Sequence, residues 1–240
     1  MTALSLNKLV KIYNGKTVVN NADILVNQGQ VAGLLGPNGA GKTTTFYMAV
    51  GMIRPDSGSV YLDKEEITHY PMYIRARKGI GYLPQESSIF KKLSVKENIT
   101  AILEVLPKNG KDIQTKAADL MQELGISHLS SQKAASLSGG ERRRLEISRV
   151  LATEPLFILL DEPFAGIDPL AVIDIQQIIT QLTDRNIGVL ISDHNVRETL
   201  GVCDHAYIMN QGMVIESGPP DKIIASDIAK KIYLGENFRL

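Results

Sequence analysis

The stretch Gly36-Pro37-Asn38-Gly39-Ala40-Gly41-Lys42-Thr43 constrains this chain more than any other. A short apolar run, Gln30 to Leu35, leads into it, and a helical pattern from Lys42 to about Val50 follows. Strand, glycine-rich turn and helix start, in that order, make a phosphate cradle. The glycines let successive backbone N–H groups converge on oxygen, and the helix N-terminus adds a favourable dipole. On this reading Gly36, Pro37, Asn38, Gly39, Ala40, Gly41, Lys42, Thr43 and Thr44 hold a nucleotide. Lys42 neutralises its β- and γ-phosphates, and the Thr43 hydroxyl is offered to Mg²⁺.

The rest of the chain alternates strand and helix. Phe157 to Leu160 and Val189 to Ile191 are continuous apolar runs, which suit strands buried on both faces of a mainly parallel sheet. Pro55 to Gly58 is a turn before the strand Val60-Tyr61-Leu62, and Asp168-Pro169 opens a helix as N-cap and first residue. In the first thirty residues Leu4–Leu9, Thr17–Val19 and Ile24–Val26 read as short strands of an antiparallel layer. Residues 87–154 are helical in pattern. A capping box, Ser94 with Glu97, heads a run to about Leu106. Asp112 to Leu124 places Ile113, Ala117, Leu120, Met121 and Leu124 on one face, with Gly125 as the stop. A third helix runs from about Ser138 to Thr153. Residues 87–154 are therefore expected to be a helical insert between two halves of an α/β core, 1–86 and 155–240.

Two further stretches carry chemistry. Asp161-Glu162 ends a buried strand, so Asp161 is expected at the sheet edge facing the P-loop, holding Mg²⁺ through water. Glu162, one residue on, is placed to polarise an attacking water. Ser138-Gly139-Gly140 opens a helix and makes a second anion-binding N-terminus. One ATP cannot serve both loops if they lie on different subdomains, which points to a head-to-tail homodimer with each ATP between one chain's P-loop and the other's Ser-Gly-Gly.

These residues together resemble the nucleotide-binding subunits of ABC transporters. The resemblance implies a P-loop, RecA-like α/β core with an N-terminal antiparallel β layer, an inserted helical subdomain, and hydrolysis of ATP with Mg²⁺. It makes Gln85 a ligand of Mg²⁺ and of the attacking water, His194 a contact of the γ-phosphate, and Asp168 part of a loop crossing the dimer interface. Tyr13 falls where the family stacks an aromatic ring on adenine; a half-buried strand tyrosine is the other reading. In the family, two transmembrane permease subunits dock a short helix beside the glutamine loop. Phe90 lies there, either as an aromatic anchor or as a core residue at the root of the insert. Arg142-Arg143-Arg144 reads as a solvated helix face. Similarity is closest to the ATPases of lipopolysaccharide export, carried by Thr43 to Met48, Glu86 to Val95, Leu137 to Glu146, Glu162 to Gly166, Asp193 to Leu200 and Tyr233 to Leu240. ATPases of branched-chain amino-acid importers are the alternative. A soluble ABC ATPase acting on nucleic acid is a third.

Composition narrows these choices. With 26 basic and 26 acidic side chains the net charge is zero, which removes the electrostatic case for wholesale nucleic-acid binding. No apolar run approaches the roughly 20 residues of a spanning helix, and the first residues do not read as a signal peptide. A single cysteine, Cys203, excludes an internal disulfide. By itself this implies a soluble protein of a reducing compartment; the resemblance implies a place on the cytoplasmic face of the inner membrane, touching the bilayer only through its partners.

Overall fold

The computed structural model describes residues 2–106, 110–235 and 238. Two sheets form the frame. The first has the order β2-β1-β4-β5: β1 (Ala3–Tyr13) pairs antiparallel with β2 (Lys16–Asn27) and β4 (Ser57–Leu62), and β5 (Glu65–Glu66) closes the edge. The short strands expected from the apolar pattern are here two long ones. Register shifts between Leu6 and Leu9 and again before Lys11 and Ile12 interrupt the alternation without ending the ladder.

The second sheet has six strands in the order β10-β9-β3-β8-β7-β6. In chain order these are β3 (Val31–Leu35), β6 (Ile80–Leu83), β7 (Phe157–Asp161), β8 (Gly188–Ser192), β9 (His205–Asn210) and β10 (Met213–Gly218). All neighbours run parallel except the β9–β10 hairpin, which the apolar pattern did not reveal. Every residue of β3, β7 and β8 is buried, as their unbroken apolar runs require. Asp161 therefore ends an interior strand between β8 and β6, not an edge strand. Because β3, β8, β7 and β6 are parallel neighbours, the loops leaving their carboxyl ends stand side by side on one rim. That rim is where open parallel sheets bind ligands.

The helix after the glycine-rich loop, α1 (Lys42–Val50), packs Phe46, Met48, Ala49 and Val50 into the core. Two of its last carbonyls are taken by one buried side chain. Arg75, on α2 (Met72–Arg77), donates Nη1 to Met48 O and Ala49 O at 2.8 and 2.7 Å, Nη2 to Thr68 O at 2.9 Å, and Nε to Tyr70 O at 2.9 Å. Burial lowers its guanidinium to about 10.

Residues 84–94 are irregular, and helix begins at α3 (Val95–Leu103), where Ser94 and Glu97 form the expected capping box. With α4 (Gly110–Glu123) and α5 (Gly139–Leu151), α3 buries Ile99, Leu103, Ala117, Leu120 and Leu145. α6 (Pro169–Asp184) starts at its Asp168 cap, whose Oδ1 accepts from Ala171 N at 3.0 Å. After α7 (Val196–Leu200) and the hairpin, the chain ends in α8 (Pro220–Ala225), α9 (Asp227–Ala229) and a π-helical turn, Lys230–Leu234. This segment packs Tyr233, Leu234 and Phe238 against a cluster of Leu35, Leu200, Ala206 and Ile208. Glu236, Asn237, Arg239 and Leu240, part of the terminal resemblance, lie outside the described residues. Among the described residues no helix is long and apolar enough to cross a membrane.

Candidate functional site

The cradle follows β3. Gly36 has φ +147°, and a Cβ there would lie 2.1 Å from Met209 O, so only glycine fits. The N-terminus of α1 has no side-chain cap and no acid in its first turn, leaving its N–H groups to an anion. Lys42 is 7% exposed and donates Nζ to Gly36 O at 2.6 Å and Pro37 O at 3.1 Å. Burial pushes its ammonium down, and the charges of Glu162 and Asp193 oppose that shift. Thr43 is exposed at the helix start.

Across β8 from the cradle, Asp161 stands opposite Ser192 in the ladder and is 5% exposed. Burial pushes its carboxyl up, against hydrogen bonds from Tyr82 and Tyr47. The Tyr82 hydroxyl donates to Oδ2 at 3.3 Å. Glu162 has φ +45°, a left-handed conformation costly for a residue with Cβ. Its N–H is pinned to Ser192 O at 2.7 Å. The strained turn aims Oε2 at two neighbours: Gln85 Nε2 donates to it at 2.9 Å, and His194 Nδ1 lies 3.4 Å away. Three residues named from sequence thus meet at one oxygen.

Residues that the sequence reading passed over hold this cluster. Asp193 is fully buried and accepts three backbone N–H groups: His194 at 2.7 Å and Asn195 at 2.8 Å on Oδ1, Phe164 at 2.9 Å on Oδ2. Asn195 Nδ2 answers to Phe164 O at 3.0 Å. The loops after β7 and β8 are therefore stitched together by one carboxylate. Its place directly before His194 was the available signal. Tyr82, Tyr47 and Tyr233 gave none, because their partners are remote in sequence, and neither did Arg75, whose bonds to Met48 and Ala49 reach back to another helix.

Ser138, Gly139 and Gly140 line a cleft of about 610 Å³ together with Gln85, Glu162, Arg143 and Asp168. No residue of the phosphate cradle lines it. Ser138 caps α5: its Oγ accepts from Glu141 N, and its N–H donates to Glu141 Oε2 at 2.8 Å. The arginine run that follows is not a solvated face. Arg142 Nη2 reaches Leu137 O at 3.1 Å, and Arg144 reaches Leu124 O at 3.2 Å and Asp174 at 3.0 Å. Arg143 pairs with Glu146 at 3.2 Å, the two side chains being 12% and 6% exposed. The correction follows from packing: α5 contacts α3, α4 and α6, so its charged face is an interhelical one.

Tyr13 and Phe90 stand outside the cluster around Glu162. Tyr13 is 44% exposed, with Lys11 Nζ 5.3 Å from its ring centroid. Phe90 is 46% exposed, so it is not a core residue, and the Arg149 guanidinium stacks 4.5 Å from its ring.

Comparison with known proteins places this geometry among relatives. Residues 19–165 match the family described as ABC transporter. The lipopolysaccharide export system ATP-binding protein LptB of Escherichia coli K12 is 53% identical over 241 residues, covering 100% of both chains. LptB of Haemophilus influenzae is 51% identical over 244 residues, again covering 100% of both. The ADP conformation of MJ1267, an ATP-binding cassette of an ABC transporter, superposes with a TM-score of 0.89 at 30% identity, covering 98% of this chain and 100% of that one.

Proposed function

Because the chain belongs to the ABC transporter family, as a subunit that binds and hydrolyses ATP, we propose that two copies close head to tail over two ATP molecules and drive lipopolysaccharide from the inner membrane toward the outer membrane. The observation that carries the chemistry is the meeting of Gln85 and His194 on the carboxylate of Glu162. The cargo rests on the full-length identity to proteins named for lipopolysaccharide export.

In the mechanism, the backbone N–H groups of Asn38 to Thr44 and the Lys42 ammonium take the phosphates. Glu162 accepts the proton of the attacking water as general base. Gln85 orients that carboxylate and the water, and His194 contacts the γ-phosphate. Tyr13 stacks on adenine. Asp161, Thr43 and Gln85 would hold Mg²⁺. Their all-oxygen donor set, with one carboxylate, suits a cation that binds nucleotides through few protein ligands. Bound there, the ion would neutralise charge developing on the phosphates.

The dimer is supported by two glycines. A Cβ on Gly139 or Gly140 would meet nothing within 4 Å, and neither residue has the positive φ that excludes other side chains. The chain's own fold does not demand glycine there, which suits the close approach of the partner copy's nucleotide. Asp168 lines the same cleft. Exposed Phe90, just beyond the Gln85 loop, supports a docking site for two membrane permeases, which would hold the subunit at the cytoplasmic face of the inner membrane.

The test uses tagged Glu162→Gln protein expressed in its own cells, extracted from membranes in mild detergent and purified in ATP. Mass spectrometry should identify two permease subunits with large periplasmic β-rich domains. Recovery of two compact amino-acid permeases instead would overturn the cargo and leave the ATPase chemistry standing.

A further inference from the structure

The C-terminal turn reaches into the hydrolysis site. Tyr233, on the π-helical turn Lys230–Leu234, donates its hydroxyl to His194 O at 3.2 Å. The backbone of Gly36, the first residue of the phosphate cradle, lies beside the same phenol and favours its ionised form. One phenol thus stands between the loops leaving the adjacent strands β3 and β8. Its seat is firm: Tyr233, Leu234 and Phe238 pack against a buried cluster that includes Leu35, the residue before Gly36, and Leu200, in the helix after His194. The His194 loop cannot shift away from this phenol without breaking their bond or moving the apolar seat beneath it.

We propose that Tyr233 is a positioning residue for hydrolysis, setting the gap between the Gly36 end of the phosphate cradle and the His194 loop. This inference rests on the ATPase reading above. It assigns the C-terminal segment a role that neither loop can supply alone. Gly36 cannot carry a side chain to reach across, and the carboxylate of Asp193 is committed to the backbone of His194, Asn195 and Phe164. Burial pushes the phenol up to about 12, so at neutral pH its proton stays in place for the carbonyl of His194.

Tyr233→Phe removes one oxygen and keeps the ring. The expected result is a fall in kcat of about tenfold with KM for ATP changed less than about twofold, as for loss of alignment and not of binding. In the nucleotide-free full-length chain, the Gly36 amide resonance should move, and the melting temperature should stay within about 2 °C of the parent. An unchanged kcat overturns the proposal. So does a lost kcat with an unmoved Gly36 resonance, or one explained by a large drop in melting temperature. The Gly36 resonance needs no turnover. A parent chain that failed to hydrolyse ATP would sink the functional reading, while that resonance would still decide the bridge.

Discussion

Gln85 Nε2 donates to Glu162 Oε2 at 2.9 Å although 77 positions separate them in the chain. The same carboxylate oxygen lies 3.4 Å from His194 Nδ1. A carboxylate held from two sides, on a residue forced to φ +45°, is aimed before substrate arrives. Glu162→Gln should bind ATP, hydrolyse it at least about 100-fold more slowly, and accumulate an ATP-bound dimer. Single-turnover kinetics and size-exclusion chromatography with ATP read both effects. Near-normal turnover would remove Glu162 from the role of base.

The glycines of the loop before α1 and of the loop opening α5 should behave differently. Gly36→Ala brings a Cβ to 2.1 Å from a backbone oxygen at φ +147°, so ATP binding should be lost in an equilibrium binding assay. Gly139→Ala meets open space. It should leave the melting temperature and single-chain ATP binding intact and weaken only ATP-driven dimerisation. A Gly139→Ala chain that dimerised as well as the parent would argue against the cross-chain site.

Arg75 satisfies four carbonyl groups with one planar guanidinium. A lysine ammonium has its donors at one point and cannot reproduce that fork. Arg75→Lys should lose about 2–4 kcal/mol in denaturant unfolding, through carbonyls left unpaired in the core. A midpoint unchanged from the parent would show that α1 does not depend on this cap.

Asp161 carries a stability cost. Burial holds its folded carboxyl above the unfolded value, so the folded chain binds that proton more tightly. Its contribution to stability is then most favourable at low pH and is lost as pH rises through the folded value. Asp161→Asn should raise the melting temperature of the nucleotide-free chain by a few degrees at pH 7, with the gain shrinking as pH falls toward 4. Mg²⁺-dependent hydrolysis should disappear in the same variant. A variant less stable than the parent at pH 7 would mean that the bonds from Tyr82 and Tyr47 outweigh desolvation.

Tyr13 offers its ring to solvent at the end of β1. Tyr13→Ala should raise KM for ATP roughly 3- to 10-fold with kcat retained, the size of one stacking contact. Unchanged KM in steady-state kinetics would return Tyr13 to an ordinary surface tyrosine.

Local chemistry made much of this protein legible from its residues alone. The cradle from Gly36 to Thr43, the buried strands ending at Asp161 and Ser192, the Ser94 capping box and the Asp168 cap each depend on neighbours within a few positions. Backbone conformation and burial period act at that range, so order along the chain suffices to read them. What the tertiary structure decided lies between elements. The parallel order β3-β8-β7-β6 puts Gln85, Glu162 and His194 around one oxygen. The packing of α5 turns an arginine run into an interhelical face, and the apolar seat of the last turn brings Tyr233 to His194. Those outcomes were hidden because a hydrogen bond between distant residues leaves no periodicity in sequence; it exists only once burial has brought its donor and acceptor together.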